Sequence, residues 1–129
     1  MGVMGAGIAL EFKKRHPKMY TDYVSICTRE TEKFRLGSVA LWKNKEFPQT
    51  LPAFIWLFPT KFHWKERSSL SAIEDGLKMF LYMLEKTDIQ SVAFPKIGCG
   101  LGGLNFEDEV KPLLHHYLDP INHLIEVYC

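Results

Sequence analysis

The stretch Ser91-Val-Ala-Phe-Pro-Lys-Ile-Gly-Cys-Gly-Leu-Gly-Gly-Leu104 decides the fold class. Ser91 to Pro95 reads as a short strand, Gly98 to Gly103 as a glycine loop, and a helix follows. Asn105 suits an N-cap, and Glu107, Asp108 and Glu109 put acid in the first turn, where the helix dipole favours it. Val110, Leu113, Leu114 and Tyr117 recur at helical spacing. Pro112 is awkward inside that helix, so a separate turn at Phe106–Glu109 is expected, with the main helix starting near Lys111. Downstream, His123 to Tyr128 closes the chain as a strand. Upstream, Ser68-Ser69 opens a helix whose Leu70, Ile73, Leu77, Leu81 and Leu84 line one stripe. Ser71 and Glu74 also have capping-box spacing, which leaves a later start open. Ala53 to Phe58 is a continuous apolar run ended by Pro59, the pattern of a strand buried on both faces. Ser38 to Lys43 reads as another strand. Near the N-terminus Ile8, Ala9 and Phe12 have helical spacing, Lys13, Lys14 and Arg15 occupy the last turn, and Pro17 stops the helix. Met19 to Cys27 fits a second helix with Tyr20, Tyr23 and Val24 as its buried face. Strands alternating with helices give an α/β domain with helices on both sheet faces.

The 129 residues fit one domain, and 47% hydrophobic with 24% charged residues excludes a disordered tail, a collagen-like chain and a coiled coil. Lys plus Arg number 16 against 15 Asp plus Glu, so no overall field exists to hold a polyanion. Cys27, Cys99 and Cys129 form no C-x-x-C pair, which argues against a disulfide framework or a thiolate zinc site. The glycine-rich start is no signal-peptide core, and no apolar run approaches the roughly 20 residues of a membrane span. A reduced cytoplasmic location is expected.

Two glycine stretches each precede a helix: Gly2-Val-Met-Gly5-Ala-Gly7 and Gly98-Cys-Gly-Leu-Gly-Gly103. Glycine lets backbone N–H groups approach a ligand closely, and a helix start adds unpaired donors. Two such loops suit a ligand with more than one anionic group, such as a diphosphate; two tight turns would read the same way. Gly98, Gly100 and Gly103 satisfy G-x-G-x-x-G, but Asp119, at the distance of a ribose-binding acid, precedes its strand, so a dinucleotide fold is weakly supported. No G-K-[ST] occurs, which excludes a Walker loop.

Lys61, in Phe58-Pro-Thr-Lys-Phe-His-Trp64, sits just past the end of a buried strand, where α/β sheets carry their ligand crevices. On spacing alone it reads first as a solvated loop lysine, with a phosphate ligand or an amine nucleophile as the alternatives. Trp64 suits a base stack or a core cap. Cys99 reads first as a structural thiol, His115 and His116 as residues placed by the helix dipole. The run Lys13-Lys14-Arg15-His16-Pro17-Lys18 reads as a solvated helix end, with nucleic-acid contact as the alternative.

Gly2-Val-Met-Gly-Ala-Gly-Ile-Ala9, Phe58-Pro-Thr-Lys-Phe-His-Trp64 and Phe94-Pro-Lys-Ile-Gly-Cys-Gly-Leu-Gly-Gly-Leu104, with the helix between them, resemble a macrodomain, the ADP-ribose-binding α/β module. The resemblance is strongest to the macrodomains of DarG antitoxins and more distant to terminal ADP-ribose glycohydrolase. It implies a three-layer α/β/α sandwich with a mixed sheet. It also implies hydrolysis that removes ADP-ribose from thymidine in DNA, with a DarT-type toxin as partner. Neither metal nor cofactor is implied, ADP-ribose being ligand and product, and the expected state is a monomer. By position, Gly2, Val3, Met4, Gly5, Ala6, Gly7 and Ile8 would wrap the diphosphate and distal ribose. Pro59 and Thr60 would line the site. Pro95, Gly98, Cys99, Gly100, Leu101, Gly102, Gly103 and Leu104 would supply the second set of contacts. Lys61 matches the glycohydrolase lysine, which attacks or stabilises the anomeric carbon before water completes hydrolysis.

The more distant relative has a catalytic acid where Gly102 stands, and DarG has glycine there. Family members also begin with strands that bear an aspartate for adenine and an asparagine near the distal ribose, and Met1 stands where those strands should have ended. Residues 1–129 therefore read as an N-terminally truncated macrodomain, with a marginal fold and weak ADP-ribose affinity expected from unpaired ladder groups. Rival readings are an ADP-ribose reader without turnover and a glycohydrolase for ADP-ribosylated protein carboxylates.

Overall fold

Helix α1 (Gly7–Arg15) ends at the residue before His16, and Pro17 opens α2 (Pro17–Arg29), because proline lacks the N–H that a helix interior needs but fits the first position. The computed structural model describes residues 7–29, 38–60, 68–99 and 102–128. Strands β1 (Ala40–Lys43) and β2 (Phe54–Leu57) form an antiparallel hairpin with Ala40 opposite Leu57. Helix α3 (Leu70–Leu84) then leads to β3 (Ser91–Phe94). A π-helical turn at Phe106–Val110 precedes α4 (Lys111–Leu118), and β4 (Leu124–Val127) returns parallel to β3 with Val92 opposite Ile125. Among the described residues the strands make two ladders, β1–β2 and β3–β4, so both parallel and antiparallel pairing occur.

Alternation along β2 builds the layers. Ile55 and Leu57 are buried with Met19 of α2, alongside Phe12 and Tyr23. Trp56 and Phe58 face the other way, into the main core of Ile73, Leu77, Phe80 and Leu84 on α3 and Leu114 and Leu118 on α4. The expected burial of this strand on both faces is only partial: Ile55 and Leu57 are buried, Trp56 on the opposite face is half-buried and Phe54 is exposed, because the main core covers that face incompletely. In β3–β4 the inner face, Val92, Phe94 and Ile125, joins the same core, and Ser91 and Ala93 are exposed. Among the described side chains of α2, Met19 is buried, 1% exposed, and Tyr20, Tyr23 and Val24 are half-buried. That corrects the expected face: a flexible thioether packs on Ile55 and Leu57, with Tyr23 beside it.

The basic run ending α1 is largely occupied. Lys13 Nζ lies 4.4 Å from the Tyr20 ring centroid, Arg15 pairs with Glu11 at 3.8 Å and Lys18 with Asp22 at 3.5 Å. His16 is buried between Phe12 and Trp42. The Trp42 indole N–H donates to Asp22 at 2.9 Å and holds its carboxyl below the usual carboxylate range. Two cap expectations resolve cleanly. The Ser69 hydroxyl accepts the Ala72 N–H, so α3 starts there, while Glu74 instead accepts the Tyr117 hydroxyl at 2.7 Å and ties α3 to α4. Asn105 caps the π turn, accepting the Asp108 N–H at 2.9 Å.

Candidate functional site

Strand β2 ends at Leu57, and the next side chain, Phe58, lies against Gly76 in the middle of α3. A Cβ on Gly76 would stand 2.6 Å from the Phe58 ring, so the helix there must be bare for the chain to pass. Pro59 and Thr60 follow, half-buried. Thr60 is then held at the start of α3. Its carbonyl accepts the Ser69 N–H at 2.8 Å, and its hydroxyl accepts the Ser68 hydroxyl at 3.2 Å. Lys61, with His63, Trp64, Lys65 and Arg67, lies outside the described residues, as do Gly2, Val3, Met4, Gly5, Ala6, Gly100 and Leu101.

The glycine loop after β3 is a sequence of closed turns. The Ile97 N–H donates to Pro95 at 2.9 Å, Cys99 to Lys96 at 3.1 Å, Gly102 to Cys99 at 3.2 Å and Leu104 to Gly98 at 3.0 Å. Cys99 and Leu104 form an isolated parallel bridge that fixes the loop's mouth. Gly98 and Gly103 have φ of +76° and +80°, conformations that side chains other than glycine adopt at a cost. A Cβ on Gly98 would also meet the tips of Ile73 and Leu104 at 2.7 Å. Glycine at 102 has a different reason, because a Cβ would run into the Ser68 hydroxyl.

The N–H groups of Cys99 and Gly102 are used inside the loop. Leu104 separates the loop from the π turn, which Asn105 caps by accepting the Asp108 N–H and which runs on into α4. For the first glycine stretch, α1 does begin at Gly7, with Ile8 in its first turn.

Cys99 is half-buried, and burial pushes its thiol above the usual range; its Sγ–H donates to the Ile97 carbonyl at 3.5 Å. Both favour the protonated thiol. His115 faces the Asp119 carboxylate at 2.9 Å, and among the described residues no group of three His, Cys, Asp or Glu could hold a metal ion. Among the same residues no helix is long and apolar enough to cross a membrane.

The sequence marks Ser68 only as part of a helix start and gives Gly76 no role. Ser68 is 5% exposed and joins the two candidate segments directly: its N–H donates to the Gly102 carbonyl at 2.7 Å, while its hydroxyl reaches Thr60. The chain leaving β2 and the loop leaving β3 thus meet at the N-terminal end of α3. Both lie beyond the carboxyl ends of their strands, where open α/β sheets place ligands. A glycine in mid-helix and a serine beside an N-cap serine were the available signals, and neither is specific.

Comparison with known proteins gives a consistent neighbourhood. A family model for the Macro domain matches residues 1–112. A DNA ADP-ribosyl glycohydrolase of Thermus aquaticus is 35% identical over 121 residues, covering 94% of this chain and 32% of that protein. The macrodomain of Mycobacterium tuberculosis DarG superposes with a TM-score of 0.86 at 35% identity, over 98% of this chain and 81% of that one. The Thermosipho africanus DarTG structure in complex with ADP-ribose gives 0.87 at 34% identity, over 99% of this chain and 35% of that one. The chain spans about a third of the length of the curated relatives it matches.

Proposed function

The chain belongs to the Macro domain family, and on that basis we propose that it binds ADP-ribose and hydrolyses it from modified thymidine in DNA, as the antitoxin of a DarT-type toxin. The supporting observation is the convergence at α3: the residue before Lys61 and the glycine loop are held together through Ser68. Lys61 follows Thr60 in the sequence, and this reading assigns it the reactive amine beside a diphosphate held by that loop.

In this reading Gly98 and Gly103, by their left-handed backbone, shape the loop around the diphosphate, and the Gly2–Gly7 stretch closes on the distal ribose. Lys61 acts at the anomeric carbon. As the bond to the base breaks, positive charge develops there, and the neutral amine attacks or stabilises that carbon. Where the amine bonds to that carbon, the departing base takes the proton the amine loses. Water then adds its hydroxide to the anomeric carbon as the bond to Lys61 breaks, its remaining proton returns to the amine, and ADP-ribose is released.

The test is incubation with DNA carrying thymidine-linked ADP-ribose, followed by measurement of free ADP-ribose. Turnover that Lys61→Ala abolishes, with ADP-ribose still bound, is the expected result. Binding without turnover in the unaltered chain would mark a reader, and release from protein carboxylates but not from DNA would move the substrate.

A further inference from the structure

Charge is unevenly spread along a chain whose total is only +1. From Ser68 onward four lysines stand against nine carboxylates, so the excess of cations lies before it. Among the described side chains of that earlier part, Lys13, Lys14, Arg15, Lys18, Lys43 and Lys45 outnumber Glu11, Asp22 and Glu46. The fold draws them to one corner, where the joint of α1 and α2 meets the end of β1. Trp42 donates to Asp22 at 2.9 Å, and its ring lies 6.0 Å from that of His16. The Trp42 bond does most to hold the Asp22 carboxyl low, and the nearby charges of Lys18 and Lys45 add to it. Lys14, Arg15, Lys18, Lys43 and Lys45 are exposed, and Lys14, Lys43 and Lys45 have no carboxylate partner among the described residues. The pairs that do form, Arg15 with Glu11 and Lys18 with Asp22, are solvent-facing, and pairs of that kind hold weakly.

The same corner carries aromatic surface. Lys43 stands directly opposite Phe54 in the ladder, which puts the two side chains on one face. Phe54 is 37% exposed and Phe47, in the turn after Lys45, is 48% exposed. That turn is fixed rather than loose: the Phe47 N–H donates to the Asn44 carbonyl at 3.2 Å, and the Asn44 side chain holds Thr50 and Pro52. Phosphates need cations and unpaired bases need rings to stack on, whereas an acidic protein would use the cations alone. We propose that the α1–α2 joint and the β1–β2 turn form a docking surface for single-stranded nucleic acid. Lys14, Lys18, Lys43 and Lys45 take its phosphates, and Phe47 and Phe54 stack on its bases. The surface lies at the amino end of β2, whereas Thr60 follows the carboxyl end, so it needs neither ADP-ribose nor turnover.

The experiment is fluorescence anisotropy of a labelled oligothymidylate of about 15 nucleotides, free of ADP-ribose, titrated with the chain at about 50 to 200 mM KCl. Neutralising about four phosphates gives a slope of log affinity on log salt near −3, a loss of roughly 50-fold over that range. The triple variant Lys14→Gln, Lys43→Gln, Lys45→Gln should flatten the slope by about 2 and lose most affinity at low salt. Phe47→Ala should weaken binding roughly fivefold or more and keep the slope, because stacking releases no counterions. The double variant Lys78→Gln, Lys111→Gln, which removes charge from the acidic part of the chain, should bind like the unaltered chain. No anisotropy change at the lowest salt, an equal loss in the Lys78 and Lys111 variant, or an unaltered slope in the triple variant would each overturn the proposal. Polyglutamate competing as well as unlabelled oligothymidylate, with Phe47→Ala silent, would overturn it in favour of an acidic protein partner. Because the probe carries no ADP-ribose, a failure here leaves hydrolysis at Lys61 standing, and a chain without turnover leaves this surface standing.

Discussion

At Cys99, the burial that raises the thiol pKa and the Sγ–H bond to Ile97 act in the same direction, both favouring the protonated form. A thiol held protonated is a poor nucleophile at neutral pH. Alkylation of the folded chain at pH 7.5, followed by peptide mass mapping, should therefore modify Cys99 far more slowly than in the chain unfolded by urea. The difference should narrow as the pH is raised and the thiolate forms. Rapid labelling at neutral pH would contradict the structural role. The neighbouring glycines were visible as a motif, but their separate reasons were not. Gly98 and Gly103 need a positive φ, and Gly102 needs only the space taken by Ser68. A motif records that glycine stands at a position; which constraint put it there depends on the atoms brought against it.

Elements whose ends are set by neighbours in sequence were the readable ones. The break at Pro17, the Ser69 cap, the Asn105 cap and the turn ahead of Lys111 all act within four residues, and all stand as the sequence indicated. Strand bounds shrank by a residue or two, as expected where a ladder ends. The β1–β2 connection was not readable, because its organiser bonds across the loop. Asn44 is 4% exposed, and its side-chain amide donates to the Thr50 carbonyl, the Thr50 hydroxyl and the Pro52 carbonyl at 2.9–3.0 Å. Its own side-chain oxygen accepts the Glu46 N–H at 3.0 Å. Asn44→Ala would remove the partner of the Thr50 and Pro52 carbonyls and of the Glu46 N–H, at a cost of about 1–3 kcal/mol. The measurement is a urea titration, in which the midpoint should fall while the slope is kept. An unchanged midpoint would show that water replaces the amide.

For the molecule as a whole, Phe80 is the junction. Fully buried on α3, its ring meets Trp56 of β2 edge-on at 4.7 Å and Phe94 of β3 at 5.4 Å, so one side chain holds both ladders to the helix. Phe80→Ala should lose about 3–5 kcal/mol, a large part of the 5–15 kcal/mol typical of a domain. Phe80→Leu, which keeps most of the volume, should cost much less, and thermal melts of the two variants make the comparison. Equal melting temperatures would mean the ladders hold together without this ring. By itself the sequence determined the alternating α/β order, the caps at Ser69 and Asn105, the glycine loop and its family, because periodicity, caps and turn chemistry act over a few residues; α2, expected over Met19 to Cys27, instead runs from Pro17 to Arg29. Only the tertiary structure decided which face of β2 meets which helix layer and why Gly76 must be bare under Phe58. It also decided that Ser68 joins Thr60 to Gly102, and that two amides of the loop are spent within it. Those are contacts between segments distant in sequence or hydrogen-bond choices set by a folded loop, and they exist only once burial has brought the partners together.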